Sequence, residues 1–182
     1  ADICSVIERK KGMPIALGII CMHVARAQGW NAVGIALPGH FVCRLEANGE
    51  RIIFDPFHHA NTLNAVDLRR LLKQSLGSDA ELKPEHYKPV SNRRILLRLQ
   101  NNIKLRQVEK HNYLDAITTL DSMRKIDPNE ASLLLDVGQL YARVNQPEEA
   151  ITALSSYLTQ SNSQYGRTKA SVLIQRMKQQ LH

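Results

Sequence analysis

Cysteine is scarce in this chain: three in 182 residues, an odd number with no regular spacing. That excludes a disulfide framework and fits a reducing, cytoplasmic setting. No CxxC or HxxxH pair occurs, so a spaced metal site is not indicated. No uninterrupted apolar run approaches the ~18 residues of a membrane span. The start lacks a basic segment, an apolar core and a cleavage site in series, so no secretory signal is expected. Ala1-Asp2-Ile3-Cys4 opens in the middle of what reads as helical sequence. What is present suffices for real cores, since 43% of residues are hydrophobic.

The net charge of +7 is uneven: residues 1–90 hold 11 Lys+Arg against 9 Asp+Glu, and residues 91–182 hold 13 against 8. The excess gathers at Arg93, Arg94, Arg98, Lys104, Arg106 and Lys110. Such a stretch suits an acidic partner or is the solvated face of a helix. No aromatic residue interleaves it for base stacking, which argues against nucleic acid.

Residues 12 to 57 organise the first half. Gly12-Met13-Pro14-Ile15-Ala16-Leu17-Gly18 leads into an apolar helix that ends at Gly29, with Pro14 suited to its first turn. Trp30 to Leu37 reads as a strand. Phe41 to Leu45 and Ile52 to Phe54 are apolar runs on either side of Asn48-Gly49, a hairpin signal because a type I′ turn needs positive φ at both central positions. With that loop, Ala47 faces Glu50 and Cys43 faces Phe54. His40 then becomes the diagonal neighbour of Asp55 on one face, about 7–8 Å away, as a base and its orienting carboxylate require. Phe41, Cys43, Leu45, Ile52 and Phe54 share the other face and read as core. Three antiparallel strands on a helix make an α+β layer structure.

Lys11-Gly12-Met13-Pro14-Ile15-Ala16-Leu17, Pro38-Gly39-His40-Phe41 and Phe54-Asp55-Pro56-Phe57 resemble the transglutaminase-like, papain-type fold, and more closely the bacterial SirB family, which joins such a domain to tetratricopeptide repeats. The resemblance implies a Cys-His-Asp site in which His40 and Asp55 are the His and Asp. The Cys that opens the helix has no counterpart, because Pro14 stands at its place and Ala16 offers no hydroxyl. Two readings follow: a non-catalytic protein acting through its repeats, or a thiol-dependent acyl transferase or amide hydrolase in which Cys4 folds back over the helix mouth. Cys21 and Cys43 read as inert core thiols. A metal held by His40, Asp55, His58 and His59 is the less favoured alternative, because adjacent histidines point apart, and no cofactor is expected.

Leu63 to Leu76 reads as an amphipathic helix with Val66, Leu68, Leu71 and Leu72 on its apolar side. The Gly- and Pro-bearing segment 77–89 reads as a linker, dividing a 1–90 domain from a helical 91–182 domain. Ala116-Ile117-Thr118-Thr119-Leu120 recurs 34 residues later as Ala150-Ile151-Thr152-Ala153-Leu154, the tetratricopeptide period. Gly138 and Tyr141 take the small and aromatic positions of the second unit, where the first has Lys104 and Gln107. A last helix over about 164–181, with Tyr165, Val172, Leu173, Ile174 and Met177, should cap the stack. A protein or peptide ligand is the expected partner, with Arg98, Lys104, Gln107 and Tyr141 as its contacts; neither a membrane nor nucleic acid is.

Overall fold

A computed structural model describes residues 3–181. The start at Ala1-Asp2 and the last residue, His182, lie outside it. The chain divides into two compact units between Leu99 and Gln100.

The first unit opens with α1 (Ile3–Arg9) and α2 (Pro14–Ala27). Pro14 stands at the start of α2, where its missing N–H costs nothing. The helix buries Ile15, Ala16, Gly18, Met22 and Ala25. Its other side is open, with Val24 exposed, so it is not enclosed all round as its composition suggests. Trp30 closes the following turn by donating its N–H to the Ala25 carbonyl. Then come β1 (Asn31–Ile35), β2 (Val42–Ala47) and β3 (Glu50–Asp55), antiparallel and consecutive. Cys43 pairs with Phe54 and Ala47 with Glu50, the register that the Asn-Gly loop dictates. Asn48 and Gly49 both have positive φ, 52° and 82°. Ile52 is exposed rather than core.

The sheet has five strands, not three, because β4 (Asn61–Thr62) and β5 (Pro89–Val90) extend it to the order β4-β3-β2-β1-β5. The segment read as a linker is therefore part of the layer. It holds a 3-10 turn at Pro84–Tyr87 and the edge strand, and Ala80 and Leu82 pack on Leu37, Leu68 and Leu72. Helix α3 (Ala65–Leu76) begins after Asn64, whose side chain accepts from the N–H groups of Val66 and Asp67 while Asp67 accepts from the Asn64 N–H. This reciprocal cap leaves Leu63 to bond Ile53 of β3. Val66 faces solvent instead of the core. Arg26 of α2 reaches the Ala32 carbonyl and Asn92, tying helix, strand and the start of α4 (Asn92–Glu109) together. Ile95 and Leu99 of α4 are buried in this unit, so the division falls within the helix, not before it.

The second unit takes the rest of α4 with α5 (Tyr113–Ile126), α6 (Ser132–Arg143), α7 (Pro147–Gln160) and α8 (Gln164–Gln180). Its backbone repeats as its sequence does. Helices α5 and α7 begin and end 34 residues apart. Each is preceded by a left-handed residue, His111 at φ 59° and Asn145 at φ 58°. Asn112 bonds the Gln107 carbonyl as Gln146 bonds that of Tyr141, and Thr118 bonds Leu114 as Thr152 bonds Glu148. Helix α6 packs on α5 and α7, and α7 on α8. Gly138 permits the α6–α7 contact: a methyl there would lie 2.6 Å from Leu154. Gly138→Val is accordingly expected to destabilise this unit by about 1–3 kcal/mol, read as an earlier helical transition in thermal circular dichroism. Helix α8 buries Gly166, Ala170, Ile174 and Met177, while Tyr165 and Val172, apolar residues of the same helix, are exposed rather than packed in the cap.

Candidate functional site

The site is built on one aromatic ring. Phe41 is buried between Gly18 of α2 and Gly34 of β1, where a methyl on either glycine would come within 2.4 and 2.7 Å of the ring. The ring anchors the chain directly after His40, which is not itself on a strand. Leu37-Pro38-Gly39-His40 is a turn closed by the His40 N–H to the Leu37 carbonyl at 2.9 Å. Gly39 supplies its positive φ of 75° and Pro38 its preset φ, the type II pattern. His40 is half-buried.

Asp55 ends β3 and is 5% exposed. One carboxylate oxygen accepts from the backbone N–H of Phe57 at 2.8 Å and of His58 at 3.3 Å, and the other meets Nδ1 of His58 at 2.7 Å. The carboxylate read as the partner of His40 is thus engaged by His58. A residue three positions along a tight Asx turn is closer than a cross-strand diagonal, and an Asp-Pro followed by His at the third position is the signal for it. Burial pushes the Asp55 carboxyl up, but the His58 imidazole and the two amides outweigh it and hold it below the usual carboxylate range.

His40, Asp55 and His58 nevertheless face one cleft of about 860 Å³, whose walls include Asp67, Arg70 and Gln74. Arg70 is paired with Asp67 at 2.9 Å. Among the described residues no cysteine or serine lines this cleft, and Thr62 brings a hydroxyl to it. Cys43 is fully buried, its Sγ 3.9 Å from the Gly18 carbonyl, and burial, with Cys21 and Asp55 nearby, pushes its thiol up to about 12. Burial also raises Cys21. Cys4 is exposed on α1. Among the described residues no group of three or more His, Cys, Asp or Glu is gathered to hold a metal.

The four expected contacts of the helical half are largely occupied. Lys104 is 8% exposed and its ammonium meets Asp136 at 2.5 Å. Arg98 lies 6.0 Å above the Phe41 ring, and burial draws its guanidinium pKa down. Both therefore turn inward, away from the solvated stripe in which the charge count placed them. Gln107 accepts from the Thr119 hydroxyl at 2.8 Å. Tyr141 is half-buried, its phenol pushed up by burial and then by Asp121 and Glu149.

The model of the transglutaminase-like superfamily matches residues 1–101, more than half of the chain and close to the division at Leu99. The chain belongs to the transglutaminase-like superfamily. Among its relatives, a UPF0162 protein of Xylella fastidiosa (strain Temecula1) is 31% identical over 156 residues, covering 84% of this chain and 56% of that protein. A UPF0162 protein of Vibrio cholerae is 28% identical over 153 residues, covering 84% and 56%. Protein SirB1 of Salmonella typhimurium is 24% identical over 156 residues, covering 85% and 58%. The chain thus spans little more than half the length of these relatives, and the similarity runs past the transglutaminase-like domain into the helices. No solved structure matches it. Among the described residues no helix is long and apolar enough to cross a membrane.

Proposed function

We propose that this chain is a non-catalytic transglutaminase-like protein that works in the cytoplasm as an interaction module, through a short array of tetratricopeptide repeats. The observation that carries the reading is the make-up of the helix mouth and the cleft. Pro14 opens α2, Ala16 behind it is fully buried, and among the described residues the cleft holding His40 and Asp55 has no sulfur on its walls. Thr62, on the edge strand β4, brings a hydroxyl to the cleft, but the helix mouth has no thiol, and a base without that thiol cannot begin thiol-dependent acyl transfer. The 34-residue recurrence of helix ends, left-handed residues and hydrogen bonds supports the repeat assignment. Cys21 and Cys43, unbridged, support a reducing compartment.

The exposed thiol of Cys4 favours a second reading, in which it is the displaced nucleophile with His40 as base. Site-resolved iodoacetamide labelling separates the two. Cys43 is expected to stay unlabelled until the protein unfolds. Cys4 is expected to react at a rate that rises monotonically with pH and is unaffected by His40→Ala. A bell-shaped Cys4 profile that disappears in His40→Ala would establish the enzyme instead.

A further inference from the structure

The geometry points to a binding groove between α6 and α8 for an acidic, extended peptide; this rests on the reading of the helical half as the interacting part. Helix α8 carries Arg167, Lys169, Arg176 and Lys178 and no acidic residue. Its buried side is spent on α7, as Ala170 and Ile174 pack with Leu154 and Tyr157. Its other side, with Lys169, Val172, Leu173 and Arg176, meets Gln139 and Arg143 of α6 around an open groove of about 550 Å³.

Among the described residues three cations line that groove and no carboxylate does. Among the described residues none of Arg143, Lys169 and Arg176 has an ion-pair partner; Arg143 is steadied only by lying 5.6 Å from the Tyr113 ring centre. Arg167 shows the contrast, since its guanidinium is used on the carbonyls of Leu158 and Ser161 at the end of α7. Lys169 and Arg176 are thus uncommitted, while Val172, 62% exposed, supplies an apolar spot between them, backed by Leu173, which also packs on the core of α6 and α7.

Spacing defines the ligand. Lys169 and Arg176 are seven residues apart, a rise of about 10 Å along a helix. An extended chain covers that distance in about three residues. The occupant is a peptide with two carboxylates three positions apart and an apolar side chain between them. Nucleic acid fits less well, because no aromatic residue lines the groove to stack a base.

The test uses the whole chain and a fluorescein-labelled peptide, Gly-Glu-Ala-Leu-Glu-Gly, followed by anisotropy and by amide shifts in labelled protein. Binding is expected to weaken with salt, to fall roughly tenfold in Lys169→Glu/Arg176→Glu and in Val172→Asp, and to be lost when the peptide glutamates become glutamines. Shifts should be confined to residues 139–143 and 169–177. All three substituted side chains are exposed, and unchanged helical circular dichroism in both variants checks that the fold survives. The groove is refuted by no binding up to about 1 mM peptide, by shifts that map to Arg93, Arg94, Arg106 and Lys110 instead, or by tighter binding of an oligothymidine to the same residues. Shifts elsewhere on the helices would sink the groove but leave the interaction reading standing, whereas that reading's non-catalytic part is decided independently by the cysteine labelling.

Discussion

Phe41→Ala is expected to remove about 3–5 kcal/mol from the sheet unit, measured as a fall in its urea midpoint with little change in slope. The ring is 3% exposed and fills the space that Gly18 and Gly34 leave open by having no side chains. Helix α2 and strand β1 are themselves fixed, by Arg26 bonded to Ala32 and by the β1–β2 ladder, so they cannot close over the hole. The reverse change tests the same contact: Gly18→Val forces a branched side chain into the ring and is expected to cost about 1–3 kcal/mol or more. A loss below about 1 kcal/mol in Phe41→Ala would mean that the ring is not the wedge described. Because His40 directly precedes it, its imidazole resonances should broaden in the same variant.

Asp55→Ala is expected to cost about 2–4 kcal/mol, since it strands two amides and an imidazole that now donate to a buried carboxylate. Asp55→Asn keeps an acceptor for the amides and should cost less. The acid dependence follows from the direction of the shift. The folded carboxyl lies below its usual value, so its contribution is complete above an unfolded pKa of about 3.9 and disappears as pH falls through the lower folded value. Denaturation of the parent chain should therefore steepen below about pH 4, and that part of the slope should be missing in Asp55→Asn. Parallel acid profiles would show that the carboxylate does not sustain the turn.

The same residues mark how far sequence reaches here. The β2–β3 register was legible because Asn48-Gly49 admits one turn, and one turn sets every pair after it. The helical period was legible because paired helices need small residues at the same place in each unit, as at Ala116 and Ala150, both fully buried. The partner of Asp55 was missed because alternation along a strand ignores the turn beyond its end. Strands β4 and β5 were missed because two residues carry no alternation. Lys104 was placed outside because the charge count along α4 does not register Asp136, 32 residues away, which takes its ammonium.

Trp30, 46% exposed at the junction of α2 and β1, is the chain's one tryptophan. Its emission therefore watches the sheet unit alone, whereas four of the five tyrosines, at 113, 141, 157 and 165, belong to the helices beyond Leu99. Nature has placed separate chromophores in the two halves, so a single melt followed at two wavelengths can tell whether they come apart together or in turn.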